Sequence, residues 1–301
     1  MRKLSLLILM VLLPMMASAD KVEIDGIYYN LITKAKEAEV TSNPNLYSGD
    51  VIIPKTVKYE GVSYNVKSIG DHAFSGCKNM TSITIASSIT YIGQDAFWSC
   101  DGLTAVHISD IAAWCKISYA SDWPHEGNPL YYAHKLYLNG EEVKDLIIPD
   151  GVTFIGANAF YSCESLTSVT LPNSVTGIST RAFGGCNLAS LTIPSSVTSI
   201  GPGAFQCIIT AVHISDVSAW CNIRFSREDS NPLHCAKQLY INGTEIKDLV
   251  IPNDVTSISD YCFYNCNGFT SVTISNSVTK IGKYAFQNCS GLTSVIIPNS
   301  V

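Results

Sequence analysis

Seven phenylalanines in one recurring setting constrain the fold of this chain more than any other feature of its sequence. Each follows a small residue, which is alanine in six cases and Cys262 in the seventh. They are Phe74, Phe97, Phe160, Phe183, Phe205, Phe263 and Phe286. Successive phenylalanines of this set lie 22 or 23 residues apart in the sequence, except across two gaps of 63 and 58 residues. Self-similarity with a period of about 20–50 residues is typical of stacked repeats, so the sequence predicts a repeat array with two insertions.

The repeating unit is clearest in residues 166–188, where LTSVTLPNSVTGISTRAFGGCN precedes the next leucine. Apolar residues occupy positions 1, 4, 6, 10, 13, 17 and 18 of the unit, and cysteine occupies position 21. Units begin at Met80, Leu103, Val143, Leu166, Leu188, Ile209, Ile246, Phe269 and Leu292. Positions 1, 4 and 6 are typical of a short strand with one buried side. One such unit cannot bury its apolar side alone, so we expect the units to stack as coils of a solenoid.

This unit resembles the BspA-like branch of the leucine-rich repeats, which is common in secreted proteins of gut and oral bacteria of the Bacteroidetes type. The similarity covers residues 46–301. It implies an α/β repeat solenoid, a right-handed stack of coils with short strands and 3-10 or helical turns. Residues 20–45 are similar to the β-rich N-terminal cap of the same proteins, and the alternating apolar residues between Ile24 and Leu31 favour hairpins there.

Residues 1–19 have the pattern of a secretory signal peptide. Arg2 and Lys3 precede an apolar run from Leu4 to Met16, and Ala17-Ser18-Ala19 is a small-residue cleavage site. The apolar run is too short to cross a bilayer. We therefore expect a secreted or cell-surface protein that does not span the membrane.

Charge and motifs argue against several functional classes. Removal of the signal peptide leaves 17 of the 19 basic residues against 25 acidic ones, with no basic cluster, so we expect no nucleic-acid partner. The sequence contains no GxSxG, HExxH or CxxC motif and no glycine-rich phosphate loop. We predict that the protein is not an enzyme, with no catalytic residue, no metal and no cofactor.

Two long repeats, residues 103–142 and 209–245, contain nearly identical stretches. Residues 106–115 read VHISDIAAWC, and residues 212–221 read VHISDVSAWC. Such a recurrence would suit either a duplicated active site or a duplicated piece of scaffold. The Ser-Asp pair in each copy is suited to a helix N-cap, and the Asn-Gly pair further along predicts a hairpin.

His107 and His213 occupy the outward side of their strands in this alignment. The two strands would lie four or five coils apart, about 20 Å at the spacing of neighbouring strands, which is too far for a shared metal ion. The scaffold interpretation is therefore favoured, and we expect Trp114 and Trp220 to be buried against the solenoid.

The long repeats are also the best candidates for recognition. We expect their loops to project from the coil stack, and loops on a rigid scaffold often carry binding residues. The candidate ligand-binding residues are Trp123, Tyr131, Tyr132, His125, His107 and His213. The family resemblance implies adhesion, with a host matrix or bacterial surface protein or glycoprotein as partner. Two other functions stay open. One is a glycan-binding module, for which Trp123, Tyr131 and Tyr132 would be exposed in a row, and the other is a passive spacer. It also stays open whether Tyr131 and Tyr132 only pack the insertion against the coils. The sequence does not indicate an oligomeric state.

Eleven cysteines in an exported protein would suggest disulfides. Seven of them follow the repeat phenylalanine by three residues, or by two at Cys207. That position predicts a row of inward-facing side chains, where a thiol serves as a small apolar group. We favour free buried thiols there, whereas Cys115, Cys221 and Cys235 are open to either state.

Overall fold

The computed structural model describes residues 21–121, 123 and 127–301. The expected signal peptide, residues 1–19, and the candidate residue His125 lie outside the described residues. The described residues form a repeat β-solenoid of about 10 turns with little helix.

The chain enters the solenoid through a mixed sheet. Its first strands are β1 (Lys21–Ile24), β2 (Ile27–Ile32) and β3 (Glu37–Thr41), which pair antiparallel. A second hairpin, β5 (Thr56–Tyr59) and β6 (Val62–Ile69), joins this sheet because β6 runs parallel to β3. Tyr29, Val40 and Val66 point into the core from these strands and are buried. The boundary at residue 45 between a cap and the solenoid stays a prediction.

One strand of every coil lies on the same side of the solenoid. These strands are β4 (Gly49–Ile53), β7 (Met80–Ile85), β9 (Ala105–Ile108), β11 (Leu136–Leu138), β13 (Asp145–Ile147), β15 (Ser168–Thr170), β17 (Ser190–Thr192), β19 (Ala211–Ile214), β21 (Leu239–Ile241), β23 (Asp248–Val250), β25 (Ser271–Thr273) and β27 (Ser294–Ile296). Hydrogen-bonded neighbours among them are parallel. We call their outward side the strand face.

A second set of short parallel strands carries the chain back on another side. They are β8 (Tyr91–Ile92), β10 (Ser118–Tyr119), β14 (Phe154–Ile155), β16 (Gly177–Ile178), β18 (Ser199–Ile200), β20 (Arg224–Phe225), β24 (Ser257–Ile258) and β26 (Lys280–Ile281). The sheets that contain them run in the orders β6-β8-β10, β14-β16-β18-β20 and β24-β26. We call this side the return face.

The repeat phenylalanines form ladders in the core, as the spacing predicts. Phe183 is fully buried and stacks on the rings of Phe160 and Phe205, with centroids 5.3 and 5.4 Å apart. The cysteines of position 21 have a polar role besides filling space. The Cys186 thiol donates to the carbonyl oxygen of Phe160 in the preceding coil at 3.1 Å, and Cys100 makes the same bond to Phe74.

The α/β part of the expected fold class is not confirmed, because helix is scarce. In the described residues the helices are α1 (Ile111–Trp114), α2 (Leu130–Ala133), α3 (Val217–Cys221), α4 (Leu233–Ala236) and a 3-10 turn, η1 (Glu228–Ser230). The two N-caps expected from the Ser-Asp pairs are confirmed. Asp110 accepts from the amide of Ala113 at 3.0 Å, and Asp216 accepts from two amides of its first turn.

Each long repeat contains a complete extra coil of the stack. The strand β11 pairs in parallel with β9, and Leu136 lies opposite Val106, so the residues between them make one full circuit through α1, β10 and α2. The second copy closes its circuit between Val212 and Leu239 in the same way. Residues 127–130 are buried in the stack, which differs from the expectation that the inserted loops project from it.

The Asn-Pro-Leu segments explain how these extra coils fit among the others. Leu130 and Leu233 are fully buried and take the place that phenylalanine has in the short repeats. Asn231 fixes the turn before Leu233: its side chain accepts from the Leu233 amide and donates to the carbonyl oxygens of Tyr261 and Cys262. In the first copy, Asn128 accepts from the Leu130 amide and donates to the carbonyl oxygen of Asn158.

The two helix tryptophans are buried, as expected. Trp114 is 2 % exposed and Trp220 is 1 % exposed. Their indole nitrogens donate to backbone oxygens of the following coil, at Ala159 and Cys262 respectively. The recurring Trp-Cys pair therefore has a structural role in both copies. The boundaries of the long repeats, residues 103–142 and 209–245, remain predictions.

After each extra coil, an Asn-Gly turn folds the chain into the expected hairpin. The returning strands are β12 (Glu141–Glu142), which pairs with β11, and β22 (Thr244–Glu245), which pairs with β21. Asn139 and Asn242 have φ angles of 52° and 49°, and the glycines that follow them are also in the left-handed region. These are the backbone angles that two-residue hairpin turns require.

Candidate functional site

Outward side chains at the middle of each strand follow one another along the strand face, in stretches that we call the central row. In its first stretch, strand pairing places Ile52 beside Thr84, Thr84 beside His107, and His107 beside Tyr137. The hairpin strand β12 then sets Glu142 opposite Tyr137. The central row thus begins as an aliphatic, a hydroxyl, a histidine, a tyrosine and a glutamate.

A similar series, with one more threonine, recurs in the second stretch of the central row. Ile147 lies beside Thr170, and Thr192 lies beside His213. His213 is followed by Tyr240 and then by Glu245 on the hairpin strand β22. A third stretch begins in the same way, with the paired residues Val250, Thr273 and Ile296.

Each histidine of the central row stacks on its tyrosine neighbour. The ring centroids of His107 and Tyr137 are 4.7 Å apart with planes inclined by 26°, and those of His213 and Tyr240 are 4.9 Å apart at 29°. All four side chains are half-buried. Each pair is a fixed, flat patch that combines ring surface with imidazole nitrogens and a phenol hydroxyl, which are groups favoured at binding interfaces.

Aliphatic side chains stand exposed at equivalent places in the three stretches. Ile52, Ile147 and Val250 are 65, 68 and 62 % exposed. A single exposed aliphatic residue is ordinary on a protein surface. Here the same position repeats beside each run of hydroxyl residues, so the strand face offers apolar contact points at regular intervals.

An aspartate marks the start of each of the three stretches. Asp50 accepts hydrogen bonds from the hydroxyls of Thr81 and Ser82 at 2.9 and 2.7 Å, and those bonds hold the pKa of Asp50 below its usual value. Asp248 has the same environment, with its pKa lowered by Ser271 and Thr270. Asp145 accepts from Ser168 at 2.6 Å. All three carboxylates are held in place by these hydroxyl groups, and the lowered pKa values of Asp50 and Asp248 keep those two ionised at neutral pH.

A groove lies beside the first histidine of the row. It has a volume of about 430 Å³, and its walls include Lys55 on one side and the hairpin turn Asn139–Gly140 on the other. Thr84 and His107 also line it. The first His–Tyr pair therefore borders a depression that could take a side chain of a partner.

Three more predicted site residues, Trp123, Tyr131 and Tyr132, lie away from the strand face, on what we call the turn side of the coils. Tyr131 is 36 % exposed and stacks on Tyr161 of the following coil, with centroids 6.3 Å apart and planes inclined by 15°. The Tyr132 hydroxyl accepts from the amide of Ser99 at 2.9 Å, which fixes α2 against the preceding coil. The Trp123 ring is 57 % exposed and has the Arg181 guanidinium 4.9 Å from its centroid.

The six predicted residues therefore do not form one site. His107 and His213 lie on the strand face, whereas Tyr131, Tyr132 and Trp123 lie on the turn side and His125 is outside the described residues. Trp123, Tyr131 and Tyr132 also do not make one exposed row, because Tyr132 packs inward and Trp123 lies over Arg181.

Sequence reasoning missed the tyrosines that complete the strand-face pairs. Tyr137 and Tyr240 precede the two Asn-Gly turns in the matching segments KLYLNG and QLYING, so a signal existed. The meaning of this signal depends on the structure, because each long repeat contains a complete coil that sets these tyrosines directly beside the histidines.

The repeat pattern has a known counterpart. A model of the BspA type leucine rich repeat region matches six copies of the repeat within residues 55–118, 133–224 and 236–301. The chain belongs to this family. Members are typically bacterial cell-surface proteins, and leucine-rich repeats generally serve as binding scaffolds. A search of curated proteins found none that matches this chain.

Two solved structures are similar along most of the chain. A leucine rich cell surface protein from Faecalibacterium prausnitzii A2-165 has 26 % sequence identity and a TM-score of 0.52, with 93 % of this chain and 76 % of that one covered. The pneumococcal vaccine antigen PcpA has 18 % identity and a TM-score of 0.51, with 94 % and 71 % covered. The second similarity is one of fold alone. Within the described residues, no helix combines the length and apolar character needed to cross a membrane.

Proposed function

We propose that this chain is an exported, non-enzymatic binding protein of a bacterial cell surface, which holds a protein or glycoprotein partner across its strand face. One observation carries the proposal. The series threonine, histidine, tyrosine and glutamate occurs twice in the central row, with His107–Tyr137 and His213–Tyr240 as stacked pairs.

The spacing of the two pairs favours an extended partner. Six strand steps lead from β9 to β19 along the central row when the hairpin strand β12 is counted, which is about 29 Å at the usual strand spacing. An extended polypeptide covers that distance with about eight or nine residues. Between the pairs, the exposed side chain of Ile147 would contact its side chains, and the fixed carboxylate of Asp145 would orient it.

The partner class rests on family membership and on similarity to a cell-surface protein. Such proteins present their repeats to the outside of the cell, where a host matrix protein or the surface protein of another bacterium is within reach. A stable contact of ordinary size would bury about 800 Å² on each partner, and adhesion is the activity that we propose for it.

The proposal is tested by binding to an array of matrix glycoproteins and purified glycans. The double variant Tyr137→Ala/Tyr240→Ala is expected to lose at least tenfold in affinity for any glycoprotein that the unchanged protein binds, since aromatic anchors at an interface commonly contribute about 1–3 kcal/mol each. Tyr91→Ala is the matched control, because Tyr91 is an exposed tyrosine on the return face. Equal affinity of all three proteins would refute the strand-face site. No binding by folded protein anywhere on the array would favour a passive spacer.

A second candidate function is glycan binding on the turn side. It is favoured by Tyr131, which is exposed and lies nearly parallel to Tyr161 of the next coil, because flat aromatic surfaces stack on sugar rings. Binding to purified glycans that is lost in Tyr131→Ala and kept in Tyr137→Ala/Tyr240→Ala would support this function over the first.

A further inference from the structure

Two cysteines of the second long repeat and its neighbour face each other in the core. Cys221 is the last residue of α3, and Cys262 precedes the repeat phenylalanine of the following coil. Both are fully buried, and burial, followed by the neighbouring Cys221 thiol, raises the pKa of Cys262 well above its ordinary value.

The backbone holds these two cysteines together from both sides. The amide of Ser259 donates to the carbonyl oxygen of Cys221 at 3.0 Å, and the indole of Trp220 donates to the carbonyl oxygen of Cys262 at 3.0 Å. The Cys262 sulfur also lies 3.8 Å from the carbonyl oxygen of Trp220. The stacking of two coils therefore holds the two cysteines next to each other.

The cysteines of the repeat ladder have different partners. The thiols of Cys100, Cys186 and Cys289 each donate at 3.1 Å to a backbone carbonyl of the preceding coil. These three ladder thiols are thus directed at backbone oxygens, and we expect them to stay reduced in an oxidising environment.

The first long repeat provides an internal control. There Cys115 has the place of Cys221, and its carbonyl oxygen accepts from Gly156 at 2.9 Å. Ala159 has the place of Cys262, and its carbonyl oxygen accepts from the Trp114 indole at 2.7 Å. The two copies share the same framework, and only the second brings two thiols together. Cys262 is also the single departure from alanine among the seven Ala-Phe settings.

We propose that Cys221 and Cys262 form a disulfide when the chain folds in an oxidising compartment, which links the second long repeat covalently to the next coil. One thiolate attacks a low-molecular-weight or protein disulfide and releases one thiol from it; the second thiolate then displaces the other. Two cysteine thiols become one disulfide, and the carrier disulfide is reduced to two thiols. The linkage anchors the coil that presents the His213–Tyr240 pair.

Burial determines when during folding the thiol–disulfide exchange can occur. Desolvation raises the pKa of Cys262 well above its ordinary value, and the thiolate is the reactive species. Exchange in the fully packed coil is therefore slow, and the bond forms while the two coils are still assembling.

The test is oxidative refolding of the purified chain. The protein is unfolded with reductant, refolded in a mixture of oxidised and reduced glutathione, alkylated and digested for mass spectrometry. The expected result is a cross-linked peptide pair that contains Cys221 and Cys262, with the other nine cysteines alkylated. A native circular-dichroism spectrum with both residues alkylated, or with cross-links between ladder cysteines instead, would overturn the proposal.

Two variants make the test independent of a folding failure. Cys262→Ala restores the residue found in the other six settings, so it should fold without the cross-link. Oxidised protein should melt several degrees above reduced protein, and this difference should vanish in Cys262→Ala. Ala159→Cys should gain a second cross-link, to Cys115. If folded Ala159→Cys kept both thiols free, the geometric argument would fail for both copies.

Discussion

Replacement of Phe183 by alanine is the most direct test of the assigned repeat register. Phe183 is fully buried in the middle of a three-ring ladder, where it stacks on Phe160 and Phe205 at 5.3 and 5.4 Å. The substitution would remove one ring from both stacks and leave a cavity between coils that are held by their neighbours.

The expected cost follows from that environment. Truncation of a buried phenylalanine to alanine usually lowers the free energy of unfolding by about 3–5 kcal/mol. Each ring stack contributes about 0.5–1.5 kcal/mol beyond the burial of area, and Phe183 makes two of them. We therefore expect Phe183→Ala to fall in the upper half of the range, at about 4–5 kcal/mol.

The chain itself supplies a graded control for this prediction. Leu130 and Leu233 occupy the place of the phenylalanine in the long repeats, so leucine is compatible with the position. Phe183→Leu should cost only about 1–1.5 kcal/mol. Thr170→Ala, on the exposed strand face, should change the free energy of unfolding by less than about 0.5 kcal/mol.

Equilibrium unfolding in urea, followed by far-ultraviolet circular dichroism, measures all three variants. The expected order of destabilisation is Phe183→Ala, then Phe183→Leu, then Thr170→Ala. If Phe183→Ala cost less than about 1 kcal/mol, or no more than Thr170→Ala, the register that places this ring in the core would be refuted.

Three further predictions concern the polar and titratable parts of the core. Cys186→Ala should cost about 1 kcal/mol in urea unfolding, because it removes the thiol that donates to a carbonyl of the preceding coil; a stabilising effect would contradict this role. Asn231→Ala should cost about 3 kcal/mol because three buried backbone groups lose their partner, whereas Asn187→Ala, with one exposed bond, should cost much less. Burial raises the pKa of Cys100 and of Cys115 to about 12 from the ordinary 9.0. Their contribution to stability is thus complete below pH 9 and is lost as the pH rises from 9 towards 12; urea midpoints that do not fall between about pH 8 and pH 11 would contradict it.

Local patterns in the sequence predicted the parts of the fold that depend on local chemistry. The spacing of the phenylalanines gave the coil period, the Ser-Asp pairs gave both N-caps, and the two Asn-Gly pairs gave both hairpins. Burial of Trp114 and Trp220 followed from treating the duplicated stretch as scaffold. Each of these features is determined by residues within a few positions of one another, or by the repeat itself.

The candidate site depended on contacts between coils, which local patterns do not encode. Tyr137 lies 30 residues after His107 along the chain, and the two rings meet only because the intervening residues close one complete coil. Tyr131 likewise meets Tyr161 across coils. The α/β class was expected because leucine-rich repeats often return through helices, whereas here two-residue strands such as β16 and β18 make the return.

Affinity measurements on the two His–Tyr pairs test the account of the strand face most directly. The glycoprotein with the strongest signal on the array is titrated against the unchanged protein, Tyr137→Ala, Tyr240→Ala and the double variant. The account predicts that each single variant raises the dissociation constant about tenfold and that the double variant raises it further. Tyr91→Ala should leave it unchanged. Unchanged dissociation constants in all the strand-face variants, with the partner still bound, would contradict it.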